Sequence, residues 1–497
     1  MKGLLGIDVG TSNVKAVLYD LSGTEVRKAA FDYDLEQPKP QWAEQDPSLW
    51  WQGFLHCLKN LDLAQVDIEG LGVTGQMHSM VMLDGKDQVL RKSILWCDQR
   101  TSREVEDLAA ITGRNNLTMI TGNPPISGFT AAKLLWVKKN EPGIYSKCRK
   151  IMVTKDYIVF KLTGFYSADV TDASGMQFLD IKRRHWSKPL LRLLALPDNI
   201  LCPVHESMAV VGKTTPEIEA LTGLKAGTPV IAGAGDQAAA AIGNGVMFDK
   251  TSSLNLGSSG VIFAYSKEPV YDLMGRVHTM CHALPGVWHL MAVTQGAGLS
   301  LKWFKDNFYK EEQKSGIGIY SLINKEAEAV PAGAEGLMFL PYLMGERSPI
   351  LDADAKGVFY GISAKHTRAH FARAVMEGVA LSFRDCMDVF REMGVKLDSM
   401  NFSGGGSQSE VWSAIIASAT KTSLFRMRDA EAGAKGMAML AGLATGVYHD
   451  PSAVARLFVK PGAPVVPDPE IESVYDKLYQ RYKSVYAALR QVFLESK

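Results

Sequence analysis

The sequence predicts an α/β protein with two domains that repeat one plan. At 497 residues the chain is longer than a single hydrophobic core usually supports. Each half also contains the same kind of segment, an apolar strand that ends in a Gly-[Ser/Thr]-Ser turn, at residues 4–13 and 254–260. We therefore expect one domain over residues 1–245 and a second over residues 246–497, with a central cleft between them.

The first half is predicted to begin with strands, because short apolar runs alternate with turns that contain glycine or serine. These strands are expected at residues 3–9, 14–19, 25–31 and 68–74. Asp46 and Pro47 indicate the start of a helix, with Asp46 as its N-cap and Pro47 in its first turn.

Later segments are apolar at helical spacing or end at a glycine, and they predict helices at residues 130–139, 156–162, 368–393 and 434–445. Gly164 and Gly394 follow two of these helices in the position of a C-cap. Residues 171–175 predict a polar turn, and residues 400–403 a strand that enters a glycine-rich turn opening a further helix.

Composition excludes several classes of protein. The 54 basic and 53 acidic residues nearly cancel, which leaves no electrostatic footprint for nucleic acid. The 6 cysteines form no CxxC pair, so we expect a reducing compartment rather than disulfides or a zinc site. The first residues lack the apolar core of a signal peptide, and no apolar run is long enough to span a bilayer. The expectation is a soluble, cytoplasmic protein without a membrane partner.

Asp236 is the first candidate for a catalytic residue. It follows the apolar Val230 and Ile231 and lies among glycines and alanines, which let a substrate approach its carboxylate closely. Such a carboxylate suits a general base that takes the proton of a hydroxyl during phosphoryl transfer. It would equally suit the capping of the alanine-rich helix that follows it.

Asp8 and three glycine turns indicate where a nucleotide and a metal would bind. Asp8 lies inside an apolar strand, where an unpaired charge is costly, so we interpret it as facing Mg²⁺ rather than as a buried structural carboxylate. Turns after predicted strands, at Gly10, Gly257 and 404–406, suit phosphate binding through backbone N–H groups, or simply a need for positive φ. The sequence lacks both a P-loop, since Ser207 replaces its first glycine, and a GxGxxG turn.

Two long sequence patterns identify a known family. They are GFTAAKLLWVKKN at residues 128–140, and GVFYGI at residues 357–362 followed by AVMEG at residues 374–378. With PYLMGERSP at residues 341–349, they resemble the FGGY carbohydrate kinase family, and the resemblance covers residues 3–448. It implies two ribonuclease-H-like (actin-like) domains that close over ATP, Mg²⁺ and a sugar, in a chain that is often a homodimer.

The resemblance also implies roles for individual residues. Asp236 would be the catalytic base, and Asp8 together with Asp236 would lie at the Mg²⁺ ion. The nucleotide would contact the first phosphate turn, the second phosphate turn, a further glycine at position 298 and the turn on the adenosine side: Gly10, Thr11, Ser12, Gly257, Ser258, Ser259, Gly298, Gly404, Gly405 and Gly406.

The expected substrate is D-xylulose, phosphorylated to D-xylulose 5-phosphate. The trio Gln76, Met77 and His78 is similar to the pattern of xylulokinases in this family, and further sugar contacts are expected from Trp96, Asp98 and Gln237. Ser79 departs from that pattern and is similar to gluconate kinases, so gluconate, ribulose or another polyol stays open. The alternatives of another class are a non-catalytic sugar sensor and an actin-like assembly protein.

Overall fold

Two large β-sheets form the centre of the computed structural model, which describes residues 1–313, 318–427 and 431–495. The sheet of the first half has seven strands, and its order from edge to edge is Val210–Lys213, Pro229–Ile231, Asp67–Gly75, Lys2–Val9, Asn13–Asp20 and Glu25–Asp32, with Ala234–Gly235 also paired to Asp67–Gly75. The three strands nearest the N-terminus form an antiparallel meander, and the two central ones, Lys2–Val9 and Asp67–Gly75, are parallel.

The sheet of the second half repeats this arrangement. Its seven strands are ordered His278–Cys281, Trp288–Thr294, Gly260–Ser266, Ser252–Leu256, Ser399–Ser403, Ser423–Met427 and Pro461–Val465. Again a meander of three antiparallel strands is extended by strands that pair in parallel, because Ser252–Leu256 pairs with Ser399–Ser403, which pairs with Ser423–Met427. The predicted duplication is confirmed: the topology is that of two ribonuclease-H-like (actin-like) domains.

Smaller sheets extend both halves. A four-stranded sheet consists of Glu44–Gln45, Ser93–Ile94, Met80–Leu83 and Lys150–Val153. Two-stranded sheets pair Leu179–Asp180 with His185–Trp186, Ala168–Asp169 with Val204–His205, and Met338–Leu340 with Val358–Tyr360.

Helices cover the sheets. Those of the first half are Pro47–Asn60, Ser102–Thr112, Arg114–Thr121, Thr130–Asn140, Pro142–Tyr145, Thr154–Thr163, Val170–Met176, Lys188–Leu193, Pro216–Thr222 and Asp236–Gly243. Those of the second half are Gly298–Phe308, Lys310–Gln313, Ile319–Glu328, Arg368–Glu392, Glu410–Thr420, Ala432–Ala444, Pro451–Phe458 and Glu472–Glu495, with short 3₁₀ helices at Ala334–Gly336 and Gly405–Gln408. In the described parts of the chain, none of the helices has the length and apolarity needed to cross a bilayer.

Local signals account for most helix boundaries. Asp46 caps Pro47–Asn60 as predicted, since its Oδ1 accepts from Ser48 N at 2.8 Å. Gly164 ends Thr154–Thr163 with a φ of 76°. The predicted polar turn at residues 171–175 is wrong, because those residues belong to the helix Val170–Met176. Its start is stabilised by the Asp169 side chain, which accepts from the backbone N–H groups of Thr171 and Asp172.

The two halves meet through the helix Ala432–Ala444, which belongs to the second half in sequence but packs on the sheet of the first half. A Cβ added to Gly6 would lie 1.7 Å from the carbonyl oxygen of Ala434, and one added to Gly72 would lie 2.8 Å from that of Met437. Gly436 approaches the Asp236–Gly243 helix equally closely, since its Cβ would lie 2.0 Å from Ala239 O. Glycine is therefore required for backbone to contact backbone here.

Replacing Gly6 with alanine is expected to lower the free energy of unfolding by on the order of 3 kcal/mol or to prevent folding, because the clash is with a backbone carbonyl that has no rotamer to change. Urea denaturation followed by circular dichroism measures the effect. Gly143→Ala is the matched control, since nothing lies within 4 Å of a Cβ at that position. Equal stability of the two variants would contradict the close packing described above.

Candidate active site

Asp236 lies at a junction between a short strand and a helix. It is the first residue of Asp236–Gly243 and follows the strand Ala234–Gly235 directly. Its Oδ1 accepts from Gln237 N at 2.7 Å, and the N–H of the preceding Gly235 donates to Thr171 Oγ1 at 2.8 Å. The carboxylate is thus held at the carboxyl end of the first-half sheet, which is where ligands bind in open α/β sheets.

The charge of Asp8 influences the ionisation of Asp236. Burial raises the pKa of Asp236 to about 7, and the charge of Asp8 adds to the increase. Burial likewise raises the pKa of Asp8 to about 6, against the opposing effect of Lys15, which is paired with Glu431 at 3.0 Å. A Cβ on Gly433 would lie 2.7 Å from Asp8 Oδ2, so glycine at that position leaves room for the carboxylate. The carboxylates of Asp8 and Asp236 are therefore both buried where little positive charge stabilises their ionised forms.

The first predicted phosphate turn is closed by its own backbone and held by the side chains of Gln76 and Trp96. Gly10 N donates to Asn13 O at 2.9 Å and closes the turn. Thr11 Oγ1 donates to Gln76 Oε1 at 3.2 Å and accepts from Trp96 Nε1 at 3.0 Å. Ser12 is exposed at the tip. Gln76 and Trp96, predicted as sugar contacts, therefore also hold the turn that contains Thr11.

The remaining predicted nucleotide turns form one unit. Gly298 N donates to Gly257 O at 2.9 Å, and Leu299 N donates to Ser258 O at 3.0 Å. Gly404 has a φ of 87°, and a Cβ there would lie 2.5 Å from Leu256 O. Gly406 packs against the Leu256 side chain, whereas nothing lies within 4 Å of a Cβ on Gly405. Ser258 and Ser259 are exposed. The glycines let the turns approach each other and leave their outer side open.

Met77 and His78 lie between Asp236 and an aromatic side chain. The Met77 side chain contacts Gly235, since a Cβ on that glycine would lie 2.8 Å from Met77 Cγ. His78 has a φ of 67°, and its ring stacks on Phe129 with centroids 4.2 Å apart. Its Nδ1 lies 3.1 Å from Gly175 O, an acceptor, so Nδ1 carries the proton and Nε2 offers a lone pair. Burial lowers the pKa of His78, which stays neutral.

Asp98 differs from the other predicted sugar contacts because both oxygens of its carboxylate already accept hydrogen bonds within the protein. Its side chain is fully buried, with Oδ2 accepting from Ala43 N at 2.6 Å and both oxygens accepting from the Arg100 guanidinium. Arg100 in turn pairs with Glu44 at 2.8 Å and covers the Trp42 ring at 3.6 Å. The structure therefore places Asp98 in a buried ion-pair network, with its oxygens already bonded.

A buried cluster of charges supports the segment before Asp236. Lys155 Nζ lies 2.5 Å from Asp156 Oδ1, 2.8 Å from Asp169 Oδ1 and 3.4 Å from Asp172 Oδ2. Burial opposes the charge on Lys155, but the three carboxylates raise its pKa well above the usual value. Burial also raises the pKa of Asp172, which adjoins Gly235. Residue spacing alone gave no sign that these four residues meet.

Phe129 and Lys133 are further site residues that had no predicted role. Both lie in the GFTAAKLLWVKKN pattern, which was their only signal in the sequence. Lys133 Nζ donates to His78 O at 3.0 Å and to Gly128 O at 2.8 Å, so it fixes the backbone of His78. Burial lowers the pKa of this lysine to about 7.

Comparison with known proteins agrees with this geometry. The family model of the FGGY family of carbohydrate kinases, N-terminal domain, matches residues 4–243, and that of the C-terminal domain matches residues 253–445. The chain belongs to the FGGY family of carbohydrate kinases. The resemblance inferred from the sequence is thereby confirmed, and this FGGY kinase is a phosphotransferase that uses ATP with Mg²⁺.

Individual relatives of the FGGY kinase cover it almost completely. A xylulose kinase from Bacillus subtilis is 35% identical over 490 residues, which is 98% of this chain and 97% of the relative. A xylulose kinase structure from Rhodospirillum rubrum has a TM-score of 0.92 at 32% identity and covers 99% of each chain. A gluconate kinase structure from Lactobacillus acidophilus has a TM-score of 0.93 at 28% identity and covers 100% of each chain.

The site residues fit both cofactors. Mg²⁺ is usually held by one or two carboxylates together with waters and phosphate oxygens, and Asp8 and Asp236 provide two. Within the described residues there is no cluster of three or more His, Cys, Asp or Glu side chains that would form an all-protein metal cage. The open glycine turns around Gly257 and Gly405 suit a polyphosphate.

Replacing Lys155 with methionine is expected to lower the free energy of unfolding by roughly 3–5 kcal/mol, because it leaves three buried carboxylates without their common cation. Chemical denaturation measures the loss. Lys182→Met, at an exposed lysine, serves as the control and should be close to neutral. A Lys155 variant as stable as the control would show that the cluster is not a source of stability.

Proposed function

We propose that this FGGY kinase transfers the γ-phosphoryl group of ATP to the terminal hydroxyl of D-xylulose, giving D-xylulose 5-phosphate. The observation that carries the proposal is the position of Asp236, a buried carboxylate that feels the charge of Asp8 and directly follows Gly235, which Met77 contacts. The relatives named as xylulose kinases support the choice of sugar.

Asp236 is the proposed catalytic base. Its hydrogen bond from Gln237 N orients the carboxylate, and its ionised form accepts the proton of the sugar hydroxyl as that oxygen attacks phosphorus. ATP supplies the transferable phosphoryl group, and Mg²⁺ neutralises its phosphate charge. Asp8 is the proposed metal-side carboxylate, and Asp236 completes the same charged environment. The buried surroundings make each of these charge interactions stronger than it would be in water.

The proposed nucleotide contacts come from the two halves. The first half contributes the backbone N–H groups of Thr11 and Ser12 and the exposed Ser12 hydroxyl beside Gly10. The second half contributes the unit of Gly257, Ser258, Ser259, Gly298 and the glycines at 404–406. Gly405 has open space in front of it, which lets a ligand lie against the backbone. We assign residues 1–245 to the sugar-binding domain and residues 246–497 to the nucleotide-binding domain, in agreement with the two family-model matches.

The proposed sugar contacts are Gln76, Met77, His78, Trp96 and Gln237. His78 Nε2 is an acceptor for a sugar hydroxyl, because Nδ1 is committed to Gly175 O. Trp96 is 44% exposed and offers its ring face while its Nε1 is bonded to Thr11. Asp98 is left out of this set because Arg100 and Ala43 already occupy its oxygens.

Replacing Asp236 with asparagine is expected to lower kcat by roughly 10²- to 10⁴-fold, since the amide keeps the shape of the side chain but takes up no proton. Coupled ADP release with D-xylulose and Mg-ATP measures the loss. Asp198→Asn, at an exposed carboxylate of the same half, is the control and should retain full activity. Near-normal turnover by the Asp236→Asn variant would show that Asp236 is not the catalytic base.

The choice of sugar is tested by the same assay with D-xylulose, D-ribulose, L-ribulose, gluconate and glycerol. D-Xylulose is expected to have the highest kcat/KM. A second candidate, gluconate, is favoured by Ser79 and by the similar gluconate kinase structure. A higher kcat/KM for gluconate would leave the proposed role of Asp236 unchanged and would identify gluconate, rather than D-xylulose, as the substrate.

A further inference from the structure

Arg347 extends from the second half toward the sugar contacts of the first half. Its guanidinium lies over the ring of Phe129, with the Cζ atom 5.7 Å from the ring centroid. The backbone around it is fixed, since Arg347 N donates to Glu346 Oε1 at 2.7 Å and Ser348 N donates to Val293 O at 3.0 Å. Neither the nucleotide turns nor the proposed sugar set includes this residue.

The guanidinium of Arg347 lacks a carboxylate partner among the residues that the structure describes. Other partly buried arginines are paired: Arg184 with Glu206 at 2.7 Å, Arg373 with Glu377 at 2.7 Å. Burial lowers the pKa of Arg347 to about 10, which leaves it charged at neutral pH. A partly desolvated cation without a partner is costly, and such a cost is commonly offset by a ligand oxygen.

The neighbours of Arg347 accept hydrogen bonds rather than donate them. The ring of His278 lies 5.8 Å from that of Phe129, and its Nδ1 lies 2.6 Å from Asn123 Oδ1. Asn123 Nδ2 donates to two carbonyls, which identifies Oδ1 as an acceptor and places the proton of His278 on Nδ1. His278 Nε2 is therefore a lone pair, and it is buried without a partner in the described structure. His78 Nε2 is an acceptor for the same reason.

The contacts also give Arg347 a position along the substrate. A series of contacts links Asp236 to Arg347: Met77 contacts Gly235, the residue before Asp236, the adjacent His78 stacks on Phe129, and Phe129 lies under Arg347. The proposed base lies at one end of this series and the guanidinium at the other. A sugar whose terminal hydroxyl meets Asp236 would direct its opposite end toward Arg347.

We propose that Arg347 is a specificity-determining residue, which donates hydrogen bonds to the ketone oxygen at C2 of the substrate. A ketone oxygen has lone pairs and no hydrogen, so it matches the one donor of the cluster formed by His78, Phe129, His278 and Arg347. An alcohol at the same carbon is tetrahedral, so its oxygen lies out of the plane that a ketone oxygen occupies and meets the planar guanidinium with a different geometry. This inference rests on the proposed function.

The test compares D-xylulose with xylitol and D-arabinitol, the two pentitols that differ from it by reduction at C2. In Arg347→Met, kcat/KM for D-xylulose is expected to fall roughly 10- to 100-fold, as for loss of a hydrogen bond from a charged group. Values for the pentitols are expected to change by about threefold or less. Arg347→Lys keeps the positive charge but lacks the planar guanidinium, so its kcat/KM for D-xylulose should lie between those of the wild type and the methionine variant.

Arg184→Met is the matched control for a contact between the halves. Arg184 Nη1 donates to Val287 O at 2.9 Å and Nη2 to His282 O at 3.2 Å, so it also joins the two halves, but away from the proposed sugar contacts. Loss of the Arg184 side chain should change kcat/KM for D-xylulose and for the two pentitols by the same factor. Thermal unfolding of each variant identifies any failure to fold.

Equal losses for D-xylulose and the pentitols in Arg347→Met would overturn the proposal. So would a selective loss of gluconate phosphorylation in an enzyme that prefers gluconate, since Arg347 would then bind a carboxylate. If the proposed function itself is wrong, the wild-type enzyme will phosphorylate none of these compounds. In that case calorimetry with D-xylulose decides: weaker binding to Arg347→Met than to the wild type supports the contact, and equal binding refutes it.

Discussion

The structure depends on contact between backbones at the helix Ala432–Ala444. Glycines on both sides allow this helix to lie between the first-half sheet, at Gly6 and Gly72, and the helix that begins at Asp236. The same helix carries Gly433 next to the Asp8 carboxylate. One close-packed segment therefore fixes how this part of the second half lies on the first-half sheet, and it limits the space around Asp8 and beside the helix of Asp236. A protein interior that is packed this closely has little free space, so a displacement of one segment also moves the segments in contact with it.

The chemistry of the site follows from where charge is and is not compensated. Lys155 balances a group of buried carboxylates, and Arg100 balances Asp98. Burial raises the pKa of Asp8 and of Asp236; Lys15 opposes the increase at Asp8, and the charge of Asp8 adds to the increase at Asp236. The buried charges that are paired with each other support the fold, whereas Asp8 and Asp236 are the carboxylates that we propose to face the substrates. A metal ion and phosphates are the partners that such a distribution of charge accommodates.

Sequence patterns predicted the parts of this molecule that depend on short spacing. Strands that end in glycine turns, the Asp46 cap and the long helix Arg368–Glu392 are local, and the resemblance was specific enough to identify the family. The helix at Val170–Met176 was missed because its polar residues resemble a turn unless Asp169 is seen to cap it. The pairing of Asp98 with Arg100, and the meeting of Arg347 with Phe129, depend on tertiary packing that spacing does not encode.

The repeated topology has an evolutionary consequence. Two sheets built around meanders of the same strand order are the arrangement that duplication of one domain produces. The symmetry is broken in the turns: Asp8 precedes Val9 and Gly10 in the first copy, and Asn255 precedes Leu256 and Gly257 in the second. An amide at the second position removes the repulsion that two opposed carboxylates would exert on a polyphosphate. In the proposed roles, this difference at one residue leaves the metal-side carboxylate to the first copy alone.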